Sequence, residues 1–114
     1  MRMPGRARYG DVIRRQLELF AADQDQLLRE VGEAERAYGQ AGAADAEERY
    51  GDYMDLVEQA EDELLALRDR YAETMAARER VRYEREFTRA AERRLPTLQA
   101  RRAYLRAIDP DSTT

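Results

Sequence analysis

Five arginines near the C-terminus recur at helical spacing and form a candidate binding surface. Steps of four, three, four and four residues place them on one face of a helix: Arg78, Arg82, Arg85, Arg89 and Arg93. This arginine ridge would be about 22 Å long at roughly 1.5 Å per residue. The guanidinium group binds phosphates and carboxylates alike through paired hydrogen bonds. The ridge could therefore bind nucleic acid or an acidic protein.

A third interpretation gives the ridge no ligand at all. Four glutamates lie among the arginines and could pair with them along the same helix: Glu79, Glu84, Glu86 and Glu92. The sequence pI near 5.0 and the lack of a nucleic-acid-binding motif favour a protein partner over nucleic acid. That protein could be a second copy of this chain.

Clustered carboxylates are the other groups that could bind a ligand. Glu58, Glu61, Asp62 and Glu63, or the pair Asp52 and Asp55, could offer oxygen ligands to Mg²⁺ or Ca²⁺. Such clusters are usually a solvated helix face, so we expect no metal site.

Catalytic chemistry has few residues available. The chain contains no His, Cys or Lys, and its one serine is Ser112 near the C-terminus. The usual general bases, thiol nucleophiles, Schiff-base amines and zinc ligands are therefore missing. No glycine-rich phosphate loop follows a strand. We expect no catalytic site and no cofactor, and hence that this chain is not an enzyme.

Charge is segregated along the 114 residues despite a net charge of only −4. Residues 23–75 hold five arginines and sixteen acids, a net charge of −11, whereas residues 76–108 hold ten arginines and four acids, a net charge of +6. Such asymmetry bears on partners and self-association. No signal peptide or membrane-spanning run is evident, so a cytoplasmic protein without membrane contact is expected.

Two apolar ladders predict the elements that precede the ridge. The first runs through residues 9–38 and the second through residues 45–76, with Gly39 and Gly42 in the short connection. Both have steps of three and four residues, which is typical of coiled coils and predicts an antiparallel helical hairpin. The ladders are Ile13, Leu17, Phe20, Gln24, Leu27, Val31, Ala34 and Tyr38, then Tyr50, Tyr53, Val57, Ala60, Leu64, Leu67, Tyr71 and Thr74.

The apolar face changes sides after this hairpin. In a third, basic amphipathic helix over residues 77–108, the apolar residues lie opposite the earlier seam, and Pro96 is expected to kink the helix rather than end it. This helix folds back on the hairpin with its arginines in water, or it docks on another chain. The apolar candidates for that contact are Tyr83, Phe87, Leu98, Leu105 and Ile108.

These patterns together predict an all-α protein. We expect a flexible basic arm (residues 1–8), one helical domain (9–108) and a disordered tail (109–114). The helical domain is expected to form a three-helix bundle or a dimeric bundle. The leading hypothesis is a non-enzymatic interaction or assembly module that forms homodimers through the apolar candidates. The first alternative is a nucleic-acid-associated protein that contacts phosphates through the arginine ridge. The second is a small regulator that binds an acidic protein surface.

Overall fold

The computed structural model describes residues 8–99, and these are almost entirely helical. The elements are α1 (Gly10–Asp23), α2 (Asp25–Gly39), α3 (Ala46–Ala72), α4 (Ala77–Arg94) and a short 3-10 helix (Pro96–Gln99). The described residues contain no strand, which confirms the predicted all-α class. Most of the arm predicted at residues 1–8, the end of the third helix (100–108) and the tail (109–114) lie outside the described range.

The first predicted helix is divided at Gln24. The backbone there departs from helical geometry, with φ −106° and ψ 26°, so α1 ends at Asp23 and α2 begins at Asp25. Helical hydrogen bonds nevertheless span the break, since the Gln24 N–H donates to the Phe20 carbonyl and the Leu28 N–H to the Gln24 carbonyl. The break sits at the polar member of the first apolar ladder. It lets α1 and α2 pack against different neighbours.

Helices α2 and α3 pack chiefly against each other, while α1 packs chiefly against α4. Residues 30–37 of α2 and residues 49–56 of α3 line one groove, and the rings of Tyr38 and Tyr50 lie 5.1 Å apart near the connecting loop. Most ladder residues predicted to be apolar seam are buried: Ile13, Leu17, Phe20, Leu27, Val31, Tyr53, Val57, Ala60 and Leu64.

A turn after α3 reverses the chain and brings α4 back onto the rest of the molecule. Helix α3 ends at Ala72, and Ala76 adopts an extended conformation (φ −64°, ψ 153°) immediately before α4. The Nε of Arg80 donates a hydrogen bond of 3.2 Å to the main-chain carbonyl of Ala72, at the end of α3. This bond holds the start of α4 against the end of α3. Helix α4 contacts both α1 and α3.

Helix α4 ends before Pro96 rather than continuing through it as a kinked helix. Its last residue is Arg94, Leu95 adopts φ −132° and ψ 61°, and the 3-10 helix starts at Pro96. The proline ring disfavours α-helical geometry in the preceding residue, which accounts for the position of the break. The 3-10 helix places Leu98 in the core, against α3 and α4.

Candidate interaction surface

The buried face of α4 determines where the arginine ridge points. Tyr83, Phe87 and Ala91 recur every four residues and are 0%, 1% and 7% exposed. At about 100° per residue, the five arginines of the ridge lie on the opposite side of the helix. All five are exposed in the structure: Arg78, Arg82, Arg85, Arg89 and Arg93. The ridge therefore faces solvent along most of the length of α4.

One of these arginines is engaged by a neighbouring carboxylate. Arg82 donates from Nε to Oε2 of Glu86 at 3.0 Å, one turn further along the helix. The other four, Arg78, Arg85, Arg89 and Arg93, make no ion pair or side-chain hydrogen bond with the side chains that the structure describes. The predicted pairing of the ridge within its own helix thus occurs at Arg82, and most of its guanidinium groups stay available to a partner.

An apolar side chain accompanies the ridge. Val81 is 55% exposed and lies between Arg78 and Arg85, three residues after one and four residues before the other. At this spacing the three side chains are neighbours on the helix surface. The exposed side of α4 is thus a mixed surface that offers cations together with an aliphatic contact.

The apolar residues proposed from the sequence for a contact between chains lie elsewhere. Tyr83, Phe87 and Leu98 are no more than 5% exposed, and other helices of the same chain cover them. Leu105 and Ile108 lie outside the described residues. The reversal of the chain at residues 73–76 accounts for the difference, because it turns this apolar face of α4 inward. In this structure the three buried residues belong to the core.

Two glutamates of α4 fix its position relative to the start of α1. Oε1 of Glu86 accepts the main-chain N–H of Tyr9 at 2.8 Å, and Oε2 accepts that of Arg8 at 3.2 Å. Glu79 accepts hydrogen bonds from the Tyr9 hydroxyl and from Nη1 of Arg8, the latter at 3.0 Å. The first main-chain N–H groups of a helix have no acceptor within that helix. Glu86 of α4 supplies an acceptor for such a group at Tyr9, the residue before α1. We call these four residues the terminal clamp.

The clamp carboxylates are ionised more readily than free glutamates. Burial raises the pKa of Glu86, but hydrogen bonds from the Tyr9 main chain, the Arg82 side chain and the Arg8 main chain outweigh it and leave the pKa below its ordinary value. The hydrogen bond from the Tyr9 hydroxyl lowers the pKa of Glu79, and Arg8 lowers it further. Both glutamates are therefore negatively charged at neutral pH.

An aromatic cluster fills the space beneath the clamp. The ring of Tyr83 lies 5.7 Å from that of Tyr9, 5.0 Å from that of Tyr71 and 5.9 Å from that of Phe87. The Tyr83 hydroxyl donates a 2.8 Å hydrogen bond to Oε1 of Gln16. Burial raises the pKa of Tyr83 to about 12. These contacts join α1, α3 and α4, so the aromatic cluster helps to set the orientation of the ridge.

The carboxylates considered for metal binding do not converge on one point. Glu61 is 6% exposed, whereas Glu58, Asp62 and Glu63 are exposed at the surface of α3. Asp52 and Asp55 are also exposed. Between residues 8 and 99, no three carboxylate side chains lie close enough together to hold one metal ion.

A second polar surface lies between α2 and α3 and was not identified from the sequence. It is a groove of about 310 Å³ whose lining residues are Glu30, Glu33, Ala34, Ala37, Arg49, Asp52 and Leu56. We call it the acidic groove, because three of its residues are carboxylates and one is a cation. The sequence signal was the net charge of −11 over residues 23–75, which shows an acidic region but not which side chains meet.

None of the helices within the described range has the length and apolar character needed to cross a membrane. No protein-family profile, curated protein or solved structure matches this chain. The two charged surfaces, the arginine ridge and the acidic groove, are therefore the features of this chain that point to a function.

Proposed function

We propose that this chain is a non-enzymatic protein-interaction module whose arginine ridge binds an acidic protein surface. The observation that carries the proposal is that most arginines of the ridge are exposed and unpaired within the part of the chain that the structure describes. Four of its arginines are solvent-exposed and have no partner among the described side chains, while the helix beneath them is held by the core and the terminal clamp. A rigid helix that presents several cations needs little ordering of its backbone on binding, which reduces the entropic cost of association.

Arginine chemistry and the composition of the surface favour a protein partner. The guanidinium plane matches a carboxylate through two parallel hydrogen bonds, and exposed Val81 adds an aliphatic contact among the cations. A nucleic acid would approach a chain of net charge −4 in which residues 23–75 carry −11. Long-range repulsion from that region weakens the attraction of the ridge for a polyanion. The acidic-protein interpretation therefore has more support than the nucleic-acid alternative.

The proposal is tested by measuring binding to a defined acidic probe. A fluorescein-labelled helical peptide of 20 residues, built from glutamate and alanine, is titrated with the full chain at low ionic strength and followed by anisotropy. The ridge variant Arg85→Gln/Arg89→Gln is expected to bind about tenfold more weakly, since two exposed arginine–carboxylate pairs contribute about 1.4 kcal/mol together.

A matched control separates the ridge from net charge. Arg15→Gln/Arg70→Gln removes two arginines that are likewise exposed, from α1 and α3, and changes the net charge by the same amount. This control is expected to bind the peptide nearly as tightly as the parent chain. Equal weakening by both variants would refute a specific role for the ridge. Tighter binding of duplex DNA or single-stranded RNA than of the peptide would reject the acidic-protein proposal in favour of nucleic acid.

A further inference from the structure

We infer that the acidic surface bound by the arginine ridge is the acidic groove of a second copy of this chain. The inference rests on the proposed function and names its partner. It is carried by the complementarity of two surfaces of one molecule, each of which is open to solvent. The ridge lies on the outer side of α4, and the groove lies between α2 and α3.

The two surfaces are complementary in charge. The groove presents Glu30 and Glu33 from α2 and Asp52 from α3, against the single cation Arg49. The ridge presents five arginines, of which Arg82 is paired with Glu86. Carboxylates placed on both helices that form a groove can accept guanidinium groups from a helix that lies along it. Such an arrangement sets orientation and register as well as affinity.

The apolar parts of the two surfaces also correspond. Ala34, Ala37 and Leu56 contribute the apolar lining of the groove, beside its carboxylates. Val81 is flanked on the helix surface by Arg78 and Arg85. A helix seated in the groove places Val81 against this apolar lining while the arginines reach the carboxylates. The small side chains of the two alanines let a helix approach closely.

The ridge of a molecule cannot reach its own groove in this fold. Helix α4 packs its buried face on α1 and α3, so the ridge points away from the chain to which it belongs. Contact between a ridge and a groove therefore requires two molecules. Two such contacts form a closed dimer if they are reciprocal, and successive contacts form an open chain if they are not. In both arrangements a ridge of one copy occupies the groove of another.

The test uses charge reversal on each surface of the full chain, followed by sedimentation velocity at about 50 mM and about 500 mM salt. The parent chain is expected to associate at low salt and to dissociate at high salt, because salt screens attraction between exposed charges. Arg85→Glu/Arg89→Glu alters the ridge, and Glu30→Arg/Glu33→Arg alters the groove. Each variant alone is expected to self-associate at least tenfold more weakly than the parent chain. The control Arg15→Glu/Arg70→Glu is expected to retain association.

Mixing the two altered proteins gives the decisive result. The ridge variant keeps its groove and the groove variant keeps its ridge, so an equimolar mixture is expected to form a complex at low salt. A monomeric parent chain at low salt, association equal in all variants, or a mixture of monomers would each overturn the inference. If either variant loses helicity by circular dichroism, the neutral pairs Arg85→Gln/Arg89→Gln and Glu30→Gln/Glu33→Gln replace both. Each neutral pair must then weaken association of the parent chain.

Failure of the inference is distinguishable from failure of the proposed function. A parent chain that binds the acidic peptide through its ridge but sediments as a 13.3 kDa species leaves the function standing and removes the second copy as its partner. Peptide binding that ignores the ridge substitutions rejects the function itself.

Discussion

Replacing Glu86 with glutamine tests whether the terminal clamp stabilises the fold. Glu86 is 12% exposed in its side chain and accepts three hydrogen bonds, from the main-chain N–H groups of Arg8 and Tyr9 and from Nε of Arg82. Glutamine preserves the size of the side chain but removes its charge and one acceptor oxygen. The substitution therefore leaves at least one donor at the start of α1 without its partner.

The loss of stability arises from the hydrogen-bond donors that no longer have a carboxylate acceptor. Loss of a side-chain acceptor at a helix N-terminus costs about 0.5–2 kcal/mol, and hydrogen bonds to charged groups contribute more than neutral ones. Partial access of water to this end of the helix reduces the loss. We expect Glu86→Gln to lower the free energy of unfolding by about 1–2 kcal/mol at neutral pH. The corresponding fall in Tm is roughly 5–10 °C for a domain of this size.

The effect has a defined pH dependence. A carboxyl group whose pKa is lowered on folding stabilises the folded state above its unfolded pKa, and this contribution is lost as pH falls through the folded pKa. The pKa of Glu86 in the fold is below its ordinary value of 4.5. The difference in stability between the parent chain and Glu86→Gln is therefore constant from neutral pH down to about pH 5 and shrinks below about pH 4.5.

Urea denaturation followed by circular dichroism at several pH values measures this difference. Glu84→Gln is the matched control, because it makes the same substitution on the same helix two residues away and Glu84 has no partner among residues 8–99. We expect the control to change stability by less than about 0.5 kcal/mol. Equal effects of the two substitutions, or an effect of Glu86→Gln that does not change between pH 7 and pH 3.5, would refute the reasoning.

Two further substitutions test the core beneath the ridge. Phe87→Ala is expected to cost about 3–5 kcal/mol in urea denaturation, because Phe87 is 1% exposed, whereas Leu19→Ala, at a position 64% exposed, should cost less than about 0.5 kcal/mol. Similar losses from both would contradict the packing described for α4. Tyr83→Phe is expected to cost about 0.5–1.5 kcal/mol through loss of the hydrogen bond to Gln16. It should also remove the absorbance change that accompanies deprotonation of a tyrosine with a pKa of about 12. An absorbance difference between the parent chain and Tyr83→Phe that is centred near pH 10 would contradict the burial of this hydroxyl.

The sequence predicted the apolar core well because its signal is local. Residues such as Leu17, Val31 and Val57 recur at helical spacing, and any partner helix buries the same face of each ladder. The breaks between helices were harder to predict. Gln24 was visible as a polar interruption of the first ladder, but the departure of its backbone from helical geometry depends on α1 and α2 packing against different helices.

The position of α4 could not be predicted from periodicity alone. The change of apolar face after residue 76 indicated a new neighbour but left open whether it belonged to the same chain. In the structure α4 packs on α1 and α3 of the same chain, partly through contacts between residues distant in sequence, such as Tyr9 and Glu86. Pairings of this kind leave no periodic signal.

The two charged surfaces were predictable to different degrees. Spacing on one helix revealed the arginine ridge, and its exposure follows from the burial of Tyr83 and Phe87 on the other side. The acidic groove combines residues of two helices, among them Glu33 and Asp52, so its composition depends on how α2 and α3 align. Net charge located the acidic region but could not give that alignment.

The terminal clamp makes display of the arginine ridge dependent on folding of nearly the whole described chain. Its contacts join residues up to 78 positions apart, as between Arg8 and Glu86, whereas α2 and α3 meet across a short loop. Closing such a long segment costs about 2 kcal/mol more in chain entropy than closing a six-residue loop. The α2–α3 pair can therefore form early, whereas the contacts between the start of α1 and α4 close a much longer segment. The acidic groove needs only the α2–α3 pair, so a chain can receive a partner in its groove before α1 and the clamp have completed the placement of its own ridge.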